Sequence, residues 1–541
     1  MLTGSKKNSR GEDAWGRNWL QGESASKTII RLKDGVFRDP SQPQSIFWCG
    51  GFGSADWFHN YVQDITFDVG ADNAGAIGLQ FYSNNSGAIR NCRFMASGGS
   101  GLIGIDLGHR DMNGPLLVTN CEVVGFQKGI ATSHAVNGQT FEHITLRGQS
   151  QFGFINEGQS VSIRGLLSEN RVPAVQTYGS CCLIDSTLNG VGDARGMPAI
   201  INFNGGRLFA RDVKTTGYGR ALGDVSQTPD SAAAFRIVGE DKSGSLGPDV
   251  IEYCSHEGTR LMDSVPGSLR LDVREPPETL LEDASKWANV DDYGADPTAQ
   301  TDSSEAFQKA MDSGASTIFF PGSYELRKSV IIPVHVRRLI GAGASVDYFK
   351  KVRPDFRIVG ETRQPLTIEH FSAIHGGIEI DSPRTLYFRS VSDCDLTMLA
   401  GASGSELYFE DFVTHDLRLR NQKVWARQLN VENEGTHIVN EHSDLWVLGY
   451  KTERGGTLLD NRRNARSEIL GGFSYTTTAG KLAPMFINSD ASLFTFFSEV
   501  CYNGDPFETI IQQTQRGKTL TLQRPDATTT SYYGNNSSRG N

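Results

Sequence analysis

Five strand-like segments in the second half of the chain end on side chains suited to proton transfer. Set under one another, FEDFVTH, RQLNVE, LGYKTE, LGGFSY and FTFFSE finish on His415, Glu432, Glu453, Tyr475 and Glu499. Each segment is rich in aromatic and β-branched residues, as strands are. If the segments stack as parallel strands, their ends form a column about 4.8 Å apart. Carboxylates on adjacent strands repel, so one is expected to hold its proton near neutral pH. An acid to protonate a leaving oxygen and a carboxylate to activate water are what hydrolysis of a glycosidic bond requires. Glu432, Glu453 and Tyr475 are therefore candidate catalytic residues. His415 and Glu499 are candidate substrate-binding groups, and Tyr475 and His415 are placed to orient water or hold a sugar hydroxyl. A solvated polar ladder at a strand end has the same signature.

Such a column needs a framework that repeats, and repeats run through the sequence. QDITFDV, RNCRFMA, TNCEVVG, EHITLRG, RGLLSEN, DSTLNGV and RDVKTTG recur between Tyr61 and Thr216, aligned on Ile65, Cys92, Cys121, Ile144, Gly165, Ser186 and Val213. A second series runs from TIEHFSA to FTFFSEV. The segments are bounded by Gly, Asn, Asp or Ser, which favour turns. A lone short strand cannot bury its apolar side, whereas coil stacked on coil pairs every backbone group and makes a continuous core. A leucine-rich repeat needs an L-x-x-L-x-L pattern that is absent, and a propeller blade needs a unit about twice as long. The expected fold is all-β: two tandem right-handed parallel β-helices packed side by side, with a short capping helix before the second.

The boundaries follow from composition. Residues 1–262 form the first β-helix, 263–288 a linker containing REPPETLLEDASKW, and 289–541 the second β-helix. That run has two prolines and several acids, as a linker does. In TDSSEAFQKAM, Ser303 precedes Ala306, Phe307, Ala310 and Met311 on one face, which predicts the capping helix. With 52 basic and 62 acidic residues the chain carries a net charge of −10, which argues against nucleic acid as partner. No run of 18 apolar residues suits a membrane span. Eight cysteines are too few for a disulfide scaffold and read as buried thiols. No His/Asp/Glu spacing specifies a metal and no glycine loop suits a nucleotide, so no cofactor is expected. No signal peptide is visible at the polar start, MLTGSKKNSR.

The string Tyr293-Gly-Ala-Asp296, Thr301-Asp-Ser, Ala306-Phe-Gln-Lys-Ala310 and Phe319-Phe-Pro-Gly-Ser-Tyr324 resembles the opening motif of the pectate-lyase-like β-helix superfamily. Two such helices in one chain resemble glycoside hydrolase family 55, whose members are exo-acting β-1,3-glucanases with the site between the helices. The first helix lacks that opening motif and starts near QGESASKTIIRLKDG, at what looks like a second coil. By this resemblance Leu445 to Glu453 leads into a glutamate that positions the attacking water. The family's general acid, in a Gln-x-Glu-Thr-Pro-Tyr motif one coil later, is not matched: GGFSYTT stands there, with Tyr475 near the acid's place.

In the first helix, Gly78 to Asn85 resembles the segment that supplies an amide to the water, with Asn85 in place of glutamine and Tyr82 beside it. The loop Asp106 to Pro115 adds His109 and Asp111 as cleft-lining, substrate-binding candidates; ordinary turn chemistry would use the same residues. Trp425 and Trp446, 21 residues apart, read as stacked core, while Trp48, Trp57, Phe58 and Tyr61 are better candidates for a sugar platform. The expected function is a glycoside hydrolase cleaving a β-glucan-like polysaccharide in a cleft between the two β-helices by carboxylate acid/base chemistry. A polysaccharide lyase on a uronic-acid polymer and a non-catalytic glycan-binding β-helix are the alternatives. The expected state is a monomer whose partner is a polysaccharide or oligosaccharide, in an extracellular or periplasmic setting.

Overall fold

A computed structural model describes residues 19–524, apart from 50–56, 110–111, 204–205, 226–234, 237–246, 257, 265, 279–280 and 348, together with 531–534. The chain divides into two compact units. The first runs to Gly258 and includes Leu470–Phe473 and Phe496–Val500; the second is Thr259–Ile469, Ser474–Thr495 and the chain from Cys501 onward.

Each unit is a solenoid of stacked, mainly parallel coils. In the first, Val62, Ile89, Val118, Phe141, Ile163, Leu183 and Ala210 pair in sequence along one sheet. All seven side chains are buried. This is the continuous core that no single coil could make. A second sheet stacks the return strands, among them Lys128–Ser133 and Phe152–Glu157. The sheet of the seven core residues ends on an antiparallel partner, Asp249–Cys254.

Why each coil bends at the same place is visible in the backbone. Asp64, Asn91, Asn120, His143, Gly165, Asp185 and Asp212 all have φ between 50° and 67°. One left-handed residue per coil turns the strand, and Asn, Asp and Gly accept that conformation at low cost. The column read as Ile65, Cys92, Cys121, Ile144, Gly165, Ser186 and Val213 is corrected at one position. Gly165 is itself the bend, and Leu166, 1% exposed, fills the core between Ile144 and Ser186. The eight cysteines are all free; Cys254 is half-buried, Cys501 is exposed and the rest are buried.

In the second unit the helix Ser304–Met311 buries Ser304, Ala306, Phe307, Ala310 and Met311, as its sequence pattern predicts. Phe307 meets the rings of Phe320 and Tyr324 edge-on, both at 5.0 Å, and so covers the first coil's core. From there Leu386–Val391, Glu406–Thr414, Lys423–Glu432 and Asp444–Glu453 stack in parallel register. Asp411, Gln428 and Gly449, one per coil, repeat the left-handed bend. On the return sheet Asn440, Asn461 and Asn488 pair in register and are fully buried. Asn461 donates to Asn488 Oδ1 at 3.0 Å and to the Ser492 carbonyl at 2.8 Å, so each coil's side chain satisfies the next.

The stretch from Arg270 to Glu275, within the segment read as a linker, is bonded along the second unit's long sheet. The Glu468 carboxylate, wholly buried, accepts the backbone N–H groups of Arg270 at 2.9 Å and Leu271 at 3.3 Å. Trp425 Nε1 donates to the Asp272 carbonyl at 2.7 Å, and Arg427 donates to that of Arg274 at 2.6 Å. Beneath it Trp425 and Trp446 pair in register, 4% and 1% exposed; Trp425 stacks on Tyr408 at 4.9 Å, and Arg427 lies over the Trp446 ring.

Candidate functional site

At the end of the long sheet, strand alternation sends Val431 and Thr452 inward and leaves Asn430, Glu432, Lys451 and Glu453 on the outer face. Glu432 and Glu453 pair directly across adjacent coils. Between them lies Lys451, whose side chain is 1% exposed. Its Nζ donates to Glu432 Oε1 at 2.5 Å and to Glu453 Oε1 at 2.7 Å. Asn430 adds a bond to Glu432 Oε1 at 3.0 Å. One ammonium thus clamps two carboxylates, each of which keeps a solvent-facing side, 21% and 28% exposed.

The clamp changes the electrostatics expected from two facing carboxylates. Burial alone would raise Glu432, but the Lys451 charge and hydrogen bond, with help from Asn430, outweigh it and hold Glu432 below the usual carboxylate range. The expectation that repulsion keeps one of the pair protonated is therefore corrected for Glu432: a buried cation removes the repulsion. On the inner side, His437 is buried and neutral. Its Nε2 donates to the Asn433 carbonyl at 2.6 Å, its Nδ1 meets the Thr452 hydroxyl at 2.6 Å, and burial lowers it to about 4.

Neighbouring coils extend this edge in both directions. Arg454 N–H donates to the Tyr475 carbonyl at 3.1 Å, which sets Tyr475 beside Glu453 on the next coil. Tyr475 stacks on Tyr502 at 5.8 Å. Burial, then the Glu453 charge and Tyr502, push its hydroxyl above the ordinary value. Arg454 is paired with Glu434 at 3.3 Å. On the other side, Thr414 pairs with Val431, so His415 follows as the neighbour of Glu432.

His415 is tied to the preceding coils. Its Nδ1 lies 3.0 Å from Asp395 Oδ1 and its Nε2 3.6 Å from Asp393 Oδ1. Asp393 is shared with His375, whose Nδ1 is 2.6 Å from Oδ2. The Asp395 hydrogen bond, against a smaller effect of burial, raises His415 above the ordinary histidine value. Both aspartates are lowered although burial opposes it, Asp393 through His375 and His415, Asp395 through His415 and Thr414. Behind this cluster Asp355 is wholly buried and accepts the Gly376 N–H at 2.7 Å. Burial and the adjacent Asp347 push it up to about 8, against the pull of that hydrogen bond.

The structure therefore brings together Glu432, Glu453, Tyr475 and His415 in the second unit. Glu499 is half-buried on Ser492–Cys501, in a stretch that groups with the first unit. In the first unit Tyr82 is fully buried, Asn85 is half-buried at φ 59°, and His109 is half-buried. Asp111 lies outside the described residues. Of the aromatic platform candidates, Trp48 is 39% exposed, while Trp57 and Tyr61 are buried. Lys451, Asp393 and Asp395 were not singled out from the sequence as the groups that set the charge of Glu432 and His415. The signal was present in the period of two, since Lys451 stands two residues before Glu453 and so shares its face.

A concavity of about 260 Å³ lies beside the Arg270–Glu275 stretch. Two of its lining arginines are in ion pairs, Arg466 with Asp444 and Arg274 with Glu406.

Residues 287–362 match the family described as rhamnogalacturonase A/epimerase, pectate lyase-like. That span holds the capping helix and the first coils of the second unit; the Glu432–Glu453 edge lies beyond it. No curated protein matches the chain. The match, taken with the stacked parallel coils, supports the pectate-lyase-like β-helix superfamily and points to a carbohydrate-active protein.

Proposed function

We propose that this chain, a β-helix of the pectate-lyase-like superfamily, is a glycoside hydrolase that cleaves a neutral, β-glucan-like polysaccharide at the Glu432–Glu453 edge of its second unit. The observation that carries this reading is the paired carboxylates sharing the Lys451 ammonium. An ionised carboxylate with a solvent-facing side is what activation of water requires. Glu432, held ionised by Lys451, takes the proton from water, and Glu453 holds that water with it. Tyr475, protonated at neutral pH, is a hydrogen-bond donor to a sugar hydroxyl or to the same water.

The charge of the edge favours a neutral chain over a polyuronate. Asp393, Asp395, Glu432, Glu434 and Glu453 lie along it, and three of its cations are engaged by them: Lys451 by two glutamates, Arg454 by Glu434, His415 by two aspartates; Lys350 also faces His415. Elimination from a uronic-acid polymer needs a cation to neutralise the substrate carboxylate and a group ready to accept a proton. A tyrosine raised above its usual value is a poor base. An extracellular or periplasmic setting, where structural polysaccharides are met, belongs to this reading.

The test is release of reducing sugar from a panel of β-glucans, with pectin and alginate as polyuronate controls. Glu432→Gln is expected to lower turnover by about 10³-fold or more with an unchanged circular dichroism spectrum. Unchanged turnover, or an unsaturated product absorbing in the ultraviolet, would overturn the assignment.

A further inference from the structure

The hydrolase reading leaves one chemical role open. Glu432 is held ionised by Lys451, and Glu453 is bonded to the same ammonium, so neither is arranged to hand a proton to a leaving oxygen. The neighbour of Glu453 on the next coil is Tyr475, which has no carboxyl to offer.

We infer that His415 is the proton donor to the leaving glycosidic oxygen, with Asp395 and Asp393 as the residues that position it. The inference rests on the hydrolase reading and adds a residue to it. His415 opposes Glu432 on the neighbouring coil, since Thr414 pairs with Val431, and its side chain is half exposed, at 51%. Backbones on neighbouring coils stand about 4.8 Å apart. Displacement by water needs donor and base about 6.5–9.5 Å apart, so the two side chains must diverge from their neighbouring backbones to flank one bond.

The two ring nitrogens are held unequally. Nδ1 is 3.0 Å from Asp395 Oδ1, a full hydrogen bond, whereas Nε2 is 3.6 Å from Asp393 Oδ1. Asp395 also accepts the His415 backbone N–H at 3.3 Å and the Thr414 hydroxyl at 3.3 Å, so its carboxylate is fixed before it meets the ring. Asp393 is anchored at its other oxygen by His375, 2.6 Å away. Nδ1–H is thus the anchored proton and Nε2–H the transferable one. The charged groups facing the ring are Asp395 and Asp393, which favour the imidazolium, and Lys350, which opposes it; Glu432 stands on the following coil.

In the step itself, the Nε2 proton passes to the glycosidic oxygen as the bond from that oxygen to C1 breaks, its electron pair staying on oxygen. The water oxygen forms the new bond to C1 and gives a proton to Glu432. Exchange with solvent then returns one proton to His415 and removes one from Glu432, so one water is consumed and two hydroxyls are formed.

A leaving group that needs no proton separates this role from a structural one. Activity is measured on a glucan oligosaccharide and on the corresponding dinitrophenyl glycoside, for the wild type, His415→Asn, Asp395→Asn and Glu432→Gln. If His415 is the donor, His415→Asn lowers kcat on the oligosaccharide by about 10²- to 10⁴-fold. It changes the dinitrophenyl substrate only a few-fold and removes the alkaline limb of the pH profile. Asp395→Asn moves that limb to lower pH. Equal losses on both substrates, no loss on either, or an unmoved alkaline limb in Asp395→Asn overturn the inference. Glu432→Gln reports on the hydrolase reading separately: loss on both substrates supports it, and wild-type rates on both remove it whatever His415 does. A wild type that cleaves neither substrate overturns the two together.

Discussion

Asp355→Asn tests whether a buried carboxyl in the second unit sets how its stability follows pH. Asp355 is wholly buried, accepts the Gly376 N–H at 2.7 Å and stands beside Asp347. Its carboxyl is pushed up to about 8 from an ordinary 3.8. Between those two values the folded chain keeps a proton that the unfolded chain gives up, so stability falls as pH rises through that window and levels off above it. The slope for one such group is about 1.4 kcal/mol per pH unit. From pH 5 to pH 7 the loss at this site is therefore about 3 kcal/mol. Asparagine keeps the acceptor for Gly376 and offers Asp347 an N–H where the protonated acid offers an O–H, but it does not titrate. The gap in stability between the substituted protein and wild type should widen in favour of the variant by about 3 kcal/mol between pH 5 and pH 7. At about 2 °C per kcal/mol for a unit of this size, that is roughly 6 °C in Tm. Thermal melts of both proteins at half-unit pH steps read this directly, because all other titrating groups cancel in the difference. Parallel curves would refute the reasoning.

Lys451→Met removes the ammonium between Glu432 and Glu453. Glu432, now held by burial without its cation, should titrate higher, so the acidic limb of the activity profile should move up by a unit or more. The accompanying loss of stability should be about 2 to 3 kcal/mol, less than for a fully buried pair because both carboxylates keep a solvent face. Asn461→Ala breaks the interior ladder, stripping partners from Asn488 and the Ser492 carbonyl. It should cost about 3 kcal/mol, seen as a lower denaturation midpoint with unchanged slope.

What the sequence disclosed was register. Strand alternation and turn residues were enough to place Glu432 opposite Glu453, because a slip of one would have turned Val431 and Thr452 out of the core. The same pattern slipped at Gly165, where two leucines follow a glycine and either neighbour could be taken as the inward residue. The left-handed bend of the coil, not hydrophobicity, decides for Leu166. Lys451 was harder to weigh. A lysine at a strand end reads as solvated, and only the pairing of two glutamates around it explains a 1% exposed side chain. Asp393 and Asp395 sit in a turn-rich SDCD run whose partner, His415, is 20 residues away from Asp395. The distance between coils, not local spacing, joins them.

The Arg270–Glu275 stretch has a practical consequence for anyone cutting the gene. A fragment begun at residue 289, where the sequence pattern suggests a natural start, would lack the carbonyls and amides that engage Trp425, Arg427 and Glu468. It would expose the paired indoles and leave the Glu468 carboxylate without its two amide partners, a recipe for insoluble product. Starting at Thr259 keeps those groups covered.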